Sequence, residues 1–197
     1  MPVKNNKVQQ AILDAAHARF VKYGFKKTNM TEIAVDTEMS PGNLYRFFAS
    51  KEEMGAAVVQ RILSKKRVHC HRVIKEEHSS LENLKFFCRF LLDFYYDIYE
   101  TQEHVTELID LVFAKQQGIV EELIEKKETM IHQILETGIK KDEFRVEDAK
   151  RESSILVRLL HPFLFPNWGL YQKQSIEELH LEMSSAIDLI YRGLQNK

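Results

Sequence analysis

The sequence predicts an all-α protein. Nearly every segment repeats its apolar residues at helical spacing, and none alternates as a half-buried strand does. Seven glycines and four prolines in 197 residues are too few for the many turns of a sandwich or barrel. With 44% apolar and 29% charged residues, the chain can bury a sizeable core in one large or two small domains. Two cysteines, Cys70 and Cys88, fit a reducing compartment, and the N-terminus lacks the apolar run of an export signal. The most apolar stretch, residues 155–165, is too short for a bilayer and is interrupted by Arg158 and His161. A cytoplasmic protein with no membrane span is expected.

The first helix is expected over 8–23, where Ile12, Ala16 and Phe20 recur every fourth residue and Gly24 stands just past the end as a C-cap. The second opens at Asn29, an N-cap with Glu32 three residues on, and turns Met30, Ile33 and Ala34 inward. Residues 36–39 form a break. Ser40 and Pro41 then start a third helix as N-cap and first-turn proline. Leu44 and Phe48 point back into a small core, which leaves Pro41, Gly42, Asn43, Tyr45, Arg46 and Phe47 on or near the outer side.

Two short capped helices separated by a tight break suit a DNA major groove. Asn43 offers a donor and an acceptor to a base edge, Arg46 pairs with guanine or phosphate, and Gly42 permits close backbone approach. Charge agrees in sign. Residues 1–54 carry eight Lys/Arg against six Asp/Glu, whereas the rest carry 20 against 23.

Beyond the third helix, a long fourth is expected over about 50–77, followed by helices over 81–101, 103–116, 119–139, 146–163 and 176–195. Gln117-Gly118 and residues 166–174 are the expected loops. In the last helix Ile176, Leu179, Met183, Ile187, Ile190 and Leu194 make a continuous apolar seam. With Ile155, Leu156, Leu159, Leu160 and Phe163 it either packs against a two-fold mate as a four-helix bundle or faces the chain's own core. Aromatic residues concentrate on the 81–101 helix. An aromatic face of this kind is either core or the wall of an apolar cavity, and Phe87, Phe90, Phe94, Phe113 and Trp168 are the candidates for the latter.

From Ile12 to about Val58 the chain resembles the DNA-binding domain of the TetR family of bacterial transcriptional regulators. The resemblance is carried by Ile12 to Phe25 (ILDAAHARFVKYGF), Thr28, Ile33-Ala34, Met39-Ser40, Gly42, Leu44-Tyr45, Phe48 and Lys51. It covers about a quarter of the chain. It implies a helix-turn-helix DNA-binding domain over 1–52 and a helical effector-binding and dimerisation domain over 53–197. It implies Tyr45 and Lys51 as phosphate contacts, Thr28 and Thr31 near the DNA backbone at the start of the second helix, and Pro41, Gly42, Asn43 and Arg46 as base readers.

The same resemblance implies a homodimer closed by Ile155, Leu159, Phe163, Leu179, Met183, Ile187 and Ile190, bound to palindromic operator DNA and answering to a small, partly apolar effector. A repressor is the expected sense. Two positions depart from the family pattern. Glu38 stands where glycine is usual, so the turn must be strained or reshaped. Phe47 stands where His or Tyr is common.

Competing readings are a helical metal- or ligand-binding enzyme and a protein-interaction module, each with a vestigial head. Glu177 and His180 make one Glu-x-x-His, but a di-iron site needs a second copy and further carboxylates. His69, Cys70 and His71 are consecutive and diverge on a helix. No P-loop, nucleophile elbow or dinucleotide fingerprint is present. No cofactor, metal ligand or catalytic residue is therefore expected.

Overall fold

The computed structural model describes the backbone of residues 2–164 and 174–194, and their side chains except at 2–5 and 65–73. Every regular element among these is a helix: α1 (Pro2–Tyr23), α2 (Met30–Asp36), α3 (Pro41–Tyr45), α4 (Lys51–Val73), α5 (Ser80–Thr101), α6 (Glu103–Lys115), α7 (Gln117–Lys140), α8 (Ala149–Leu159), α9 (His161–Leu164) and α10 (Ile176–Leu194). None is long and apolar enough to cross a membrane.

Two compact units divide the chain, and the division differs from one drawn at residue 52. The first comprises Met1–Lys65 with Ile98–Ile119, the second Lys66–Asp97 with Val120–Lys197. In the first, α1 packs against α2 and α6, and α2 against α3. Ile12, Phe20, Ile33, Leu44 and Phe48 are buried there, as the helical spacing predicts, together with Val105, Leu108 and Val112 of α6. Burial of each such side chain is worth about 1.5–3 kcal/mol. In the second unit, Leu84, Phe87, Leu92, Ile131, Ile134, Leu135, Leu156, Leu160, Leu179, Met183 and Ile187 form one apolar core.

Three boundaries differ from the sequence expectation, each for a local reason. The 50–77 helix stops at Val73, because Asn83 clasps the backbone of Lys75, accepting from its N–H at 2.9 Å and donating to its carbonyl at 2.8 Å. The break expected at Gln117-Gly118 falls at Gln116, whose backbone is non-helical (φ −126°, ψ 76°), and Gly118 lies inside α7. The expected 146–163 helix begins only at Ala149, where Asp148 caps Lys150 and Arg151, and it breaks at Leu160. Pro162, which lacks an N–H for the carbonyl four residues back, accounts for that second break.

The apolar seam of α10 is real, but in one chain it faces inward. Leu179, Met183 and Ile187 are at most 2% exposed, Phe163 is also buried, and all four belong to the second unit's core. This corrects their assignment as dimer-interface residues, since side chains already covered by their own protomer have no free face for a partner. Of the other three, Ile155 and Ile190 are half-buried and Leu159 is 58% exposed. Leu181 and Leu189, outside the seam, are the exposed leucines of α10, at 71% and 68%.

Candidate nucleic-acid interface

The N-terminal helices are specified almost residue by residue. Asn29 accepts from the Glu32 N–H at 2.9 Å while the Glu32 carboxylate accepts from the Asn29 N–H at 2.9 Å, a complete capping box that opens α2. Arg19 of α1 grips the other side of α2 with a two-pronged bond to Asp36 and a 3.5 Å ion pair to Glu32. Its hydrogen bond holds the Asp36 carboxyl below the usual carboxylate range and pushes the Arg19 guanidinium further up. One cation thus offsets two carboxylates of α2.

Between α2 and α3 the chain turns through a left-handed residue. Met39 N–H donates to the Ala34 carbonyl at 2.9 Å, and Glu38 N–H to the Val35 carbonyl at 3.1 Å, with Glu38 at φ 54°. This is the two-bond Schellman ending of a helix, normally built around glycine. Glu38 keeps the turn and bears the strain instead of reshaping it. Ser40 then accepts from the Asn43 N–H at 3.3 Å, Pro41 opens α3, and the buried Leu44 and Phe48 fix which face of α3 looks outward.

That outward face holds most of the predicted residues. Pro41, Gly42, Asn43, Tyr45 and Arg46 are exposed on α3 or at its end, and Thr31 is exposed on α2. The side chains of Thr31, Asn43, Tyr45 and Arg46 are engaged in none of the hydrogen bonds or ion pairs among the described residues. A methyl group added at Gly42 meets no protein atom within 4 Å, so nothing inside the chain demands glycine there. Phe47 is half-buried.

Thr28 and Lys51 are placed differently. Thr28 is 2% exposed, and its hydroxyl donates to the Gly24 carbonyl at 2.9 Å. Lys51 Nζ donates to the carbonyls of Phe25 and Thr28, both at 3.0 Å, and lies 4.5 Å from the centre of the Phe25 ring. Both side chains therefore hold the α1–α2 turn and the start of α4 together, a structural task beside the DNA contacts expected of them. Two exposed cations stand free beside them: Lys26 and Lys27, immediately ahead of α2, to which the sequence reading attached no role beyond net charge. Their signal was their adjacency to the α2 N-cap.

The residues expected to line an effector cavity are drawn from both units. Phe87 and Phe90 pack in or against the core of the second unit, Phe94 is buried against Tyr95 with ring centres 5.1 Å apart, and Phe113 belongs to the first unit. Trp168 lies outside the described residues. So do the side chains of His69, Cys70 and His71. His180 of the Glu-x-x-His pair bonds Asp93.

Residues 12–58 match the family profile described as bacterial regulatory proteins, tetR family. An HTH-type transcriptional regulator of Staphylococcus aureus is 30% identical over 89 residues, which are 45% of this chain and 48% of that protein, so the match spans about half the relative's length. Among solved structures, a transcriptional regulator from Cytophaga hutchinsonii is similar in fold with a TM-score of 0.71 and 22% identity, covering 95% of this chain and 98% of the other. A complex of SmeT with triclosan is similar with a TM-score of 0.61 and 18% identity, covering 91% and 90%.

Proposed function

We propose, from the match of residues 12–58 to the tetR family of bacterial regulatory proteins, that this chain is a TetR-family cytoplasmic transcriptional repressor that reads a palindromic operator as a homodimer and lets go when a small effector binds. The observation that carries the reading is the split between committed and uncommitted side chains in the head. Asn43 and Arg46 project from a short capped helix with no partner among the described residues, while Thr28 and Lys51 are engaged in holding the 24–28 turn to the start of α4.

In this reading α3 enters the major groove by its N-terminal turn. Asn43 pairs with a base edge, Arg46 with guanine or phosphate, and the bare face of Gly42 lets the backbone come close. Phosphates are held by Tyr45, Thr31, Lys26 and Lys27, with Arg19 offsetting the acids of α2 behind them.

The dimer is proposed on the outer faces of α8 and α10. Leu159, Leu181 and Leu189 supply exposed apolar area, and the half-buried Ile155 and Ile190 border it. Exposed Arg151 and Arg158 on α8 complement exposed Glu177, Glu178 and Glu182 on α10, so α8 of one protomer suits α10 of its mate in a self-complementary, two-fold contact. Two recognition helices then reach successive grooves about 34 Å, or a multiple, apart.

The effector is proposed to be partly apolar and to bind the second unit, with the fold neighbour seen with triclosan directing the search to aromatic compounds. It acts by binding the DNA-free state more tightly than the DNA-bound one.

A mobility-shift titration with the duplex that the protein enriches from a random-sequence pool tests this reading. Asn43→Ala weakens binding to that duplex by about 1–3 kcal/mol and relaxes preference at one base position. Replacing Lys26 and Lys27 together with alanine lowers the slope of log affinity against log salt by about two, whereas Lys51→Gln leaves that slope unchanged. Absence of any enriched duplex at low salt, or indifference to Asn43→Ala, would sink the proposal.

A further inference from the structure

In the first unit, α4 carries a glycine with side chains of other segments close against it. A Cβ added at Gly55 falls 2.8 Å from Cε2 of Phe25 and 3.2 Å from Cδ1 of Leu108. Gly55 lies in the helix interior, where glycine is a poorer helix former than alanine, and its backbone is not left-handed. Close approach is what the glycine supplies.

The neighbours of Gly55 differ in how far they can yield. Leu108 presents the end of a flexible side chain from α6. The Phe25 ring is confined: it packs edge-on to Phe20 at 5.3 Å between centres and lies under the Lys51 ammonium, which also holds the Phe25 carbonyl at 3.0 Å. The same ammonium holds the carbonyl of Thr28, whose hydroxyl reaches back to Gly24, so the whole 24–28 turn is tied to the Phe25 ring. That turn leads directly into the Asn29 cap of α2, and α2 packs on α3. Further along α4, Arg61 holds α1 through the carbonyls of Gln10 and Leu13, at 3.2 and 2.8 Å, and through Asp14 at 2.9 Å.

We propose that Gly55 is a positioning residue for DNA reading: its bare Cα against Phe25 and Leu108 sets the distance between α4 and the 24–28 turn, and through that turn the placement of the recognition helix α3. The inference rests on the DNA-binding function proposed above. On either side of Gly55, Lys51 holds α4 to the 24–28 turn and Arg61 holds it to α1, and the Gly55 contact decides how near. Any bulk at Gly55 pushes on the confined ring and so on the base of α2, without touching a DNA-facing side chain.

The experiment compares wild type, Asn43→Ala, Gly55→Ala, Phe25→Leu and the Gly55→Ala/Phe25→Leu pair on the enriched duplex and on versions of it with the half-site spacing lengthened or shortened. Gly55→Ala, checked as folded by circular dichroism, weakens binding by about three- to thirtyfold, as remote positioning changes do. It does so with an unchanged salt slope, because no phosphate contact is lost, and it alters the ranking of the spacing variants. Phe25→Leu in the same chain makes room for the methyl group and recovers part of the affinity, and it serves as the folded comparison if Gly55→Ala alone does not fold.

Wild-type affinity and spacing preference in Gly55→Ala would overturn the inference, as would a loss that tracks only the unfolded fraction or that Phe25→Leu does not relieve. If wild type binds and Asn43→Ala weakens binding while Gly55→Ala does not, this inference alone falls. If wild type enriches no duplex, the DNA-reading function falls and takes the inference with it.

Discussion

The turn after α2 and the turn after α7 are the same backbone motif in two settings. After α2, Met39 and Glu38 N–H groups reach back to Ala34 and Val35. After α7, Glu143 and Asp142 N–H groups reach back to Gly138 and Ile139, at 2.8 and 3.1 Å. Each motif puts an acidic residue where glycine is usual, at φ 54° and 59°. Their surroundings differ. Past Glu38 the chain begins another capped helix within two residues, and the turn is finished by local bonds. Past Asp142, Phe144 sets its ring against Gly138, is 3% exposed, and meets Tyr191 edge-on. A strained turn is thus held by neighbours in sequence in one unit and by tertiary packing in the other.

The sharpest way to break that comparison is at Gly138. An added Cβ there lies 2.1 Å from Cδ2 of Phe144, so Gly138→Ala displaces a packed ring and costs about 3 kcal/mol. Urea unfolding checks it. A thiol reagent gives a second readout in a Cys70→Ser background, because burial pushes the Cys88 thiol up to about 12 and labelling at neutral pH requires opening of the core around it. Gly138→Ala speeds that labelling; an unchanged rate and midpoint would mean the ring is not a lock.

Relieving the strain itself has a smaller effect of opposite sign. Glu38→Gly stabilises by about 1 kcal/mol, and Asp142→Gly by about half as much because aspartate tolerates the left-handed region better. The gain from Glu38→Gly appears as a higher urea midpoint. Loss of stability at either site would show that the acidic side chain contributes a compensating interaction.

The smallest expected effect is electrostatic and confined to the head. Asp36 has its folded pKa depressed by Arg19, so the pair's contribution is full above the ordinary carboxylate range and is lost as pH falls through the depressed value. With the Asp36 side chain 36% exposed, solvent screens the pair and the contribution stays below about 1 kcal/mol. Asp36→Asn flattens the acid limb of the stability profile by that amount. An acid limb identical in wild type and variant would assign acid sensitivity elsewhere.

What could be read from the sequence follows the same division. The Asn29–Glu32 box, the Ser40-Pro41 start and the inward Leu44 and Phe48 are signals between residues three or four apart, and all stand in the structure as read. The structural task of Lys51 was not legible, because its partners lie 26 and 23 residues away, as main-chain carbonyls that carry no sequence signature. In α10 the spacing identified an apolar seam but not what covers it, since a period of 3.6 is the same against one's own core as against a mate. For Phe87 and Phe113, aromatic character gave no hint that the two fall in different compact units. Pro162 was a local signal that could have been used.

Because the first unit takes residues 98–119 as well as 1–65, its packing has an order in time. A ribosome that has made α1 to α4 has not yet made Leu108, the side chain that stands against Gly55, nor His104, whose ring lies 3.5 Å from a Cβ placed on Gly24. During synthesis the nascent head therefore waits with an uncovered apolar side until α6 emerges. Nascent chains stalled with α6 still inside the ribosomal exit tunnel and with α6 fully outside it will differ in protease resistance at the N-terminus, even though every cap and turn of the helix-turn-helix is already present in both.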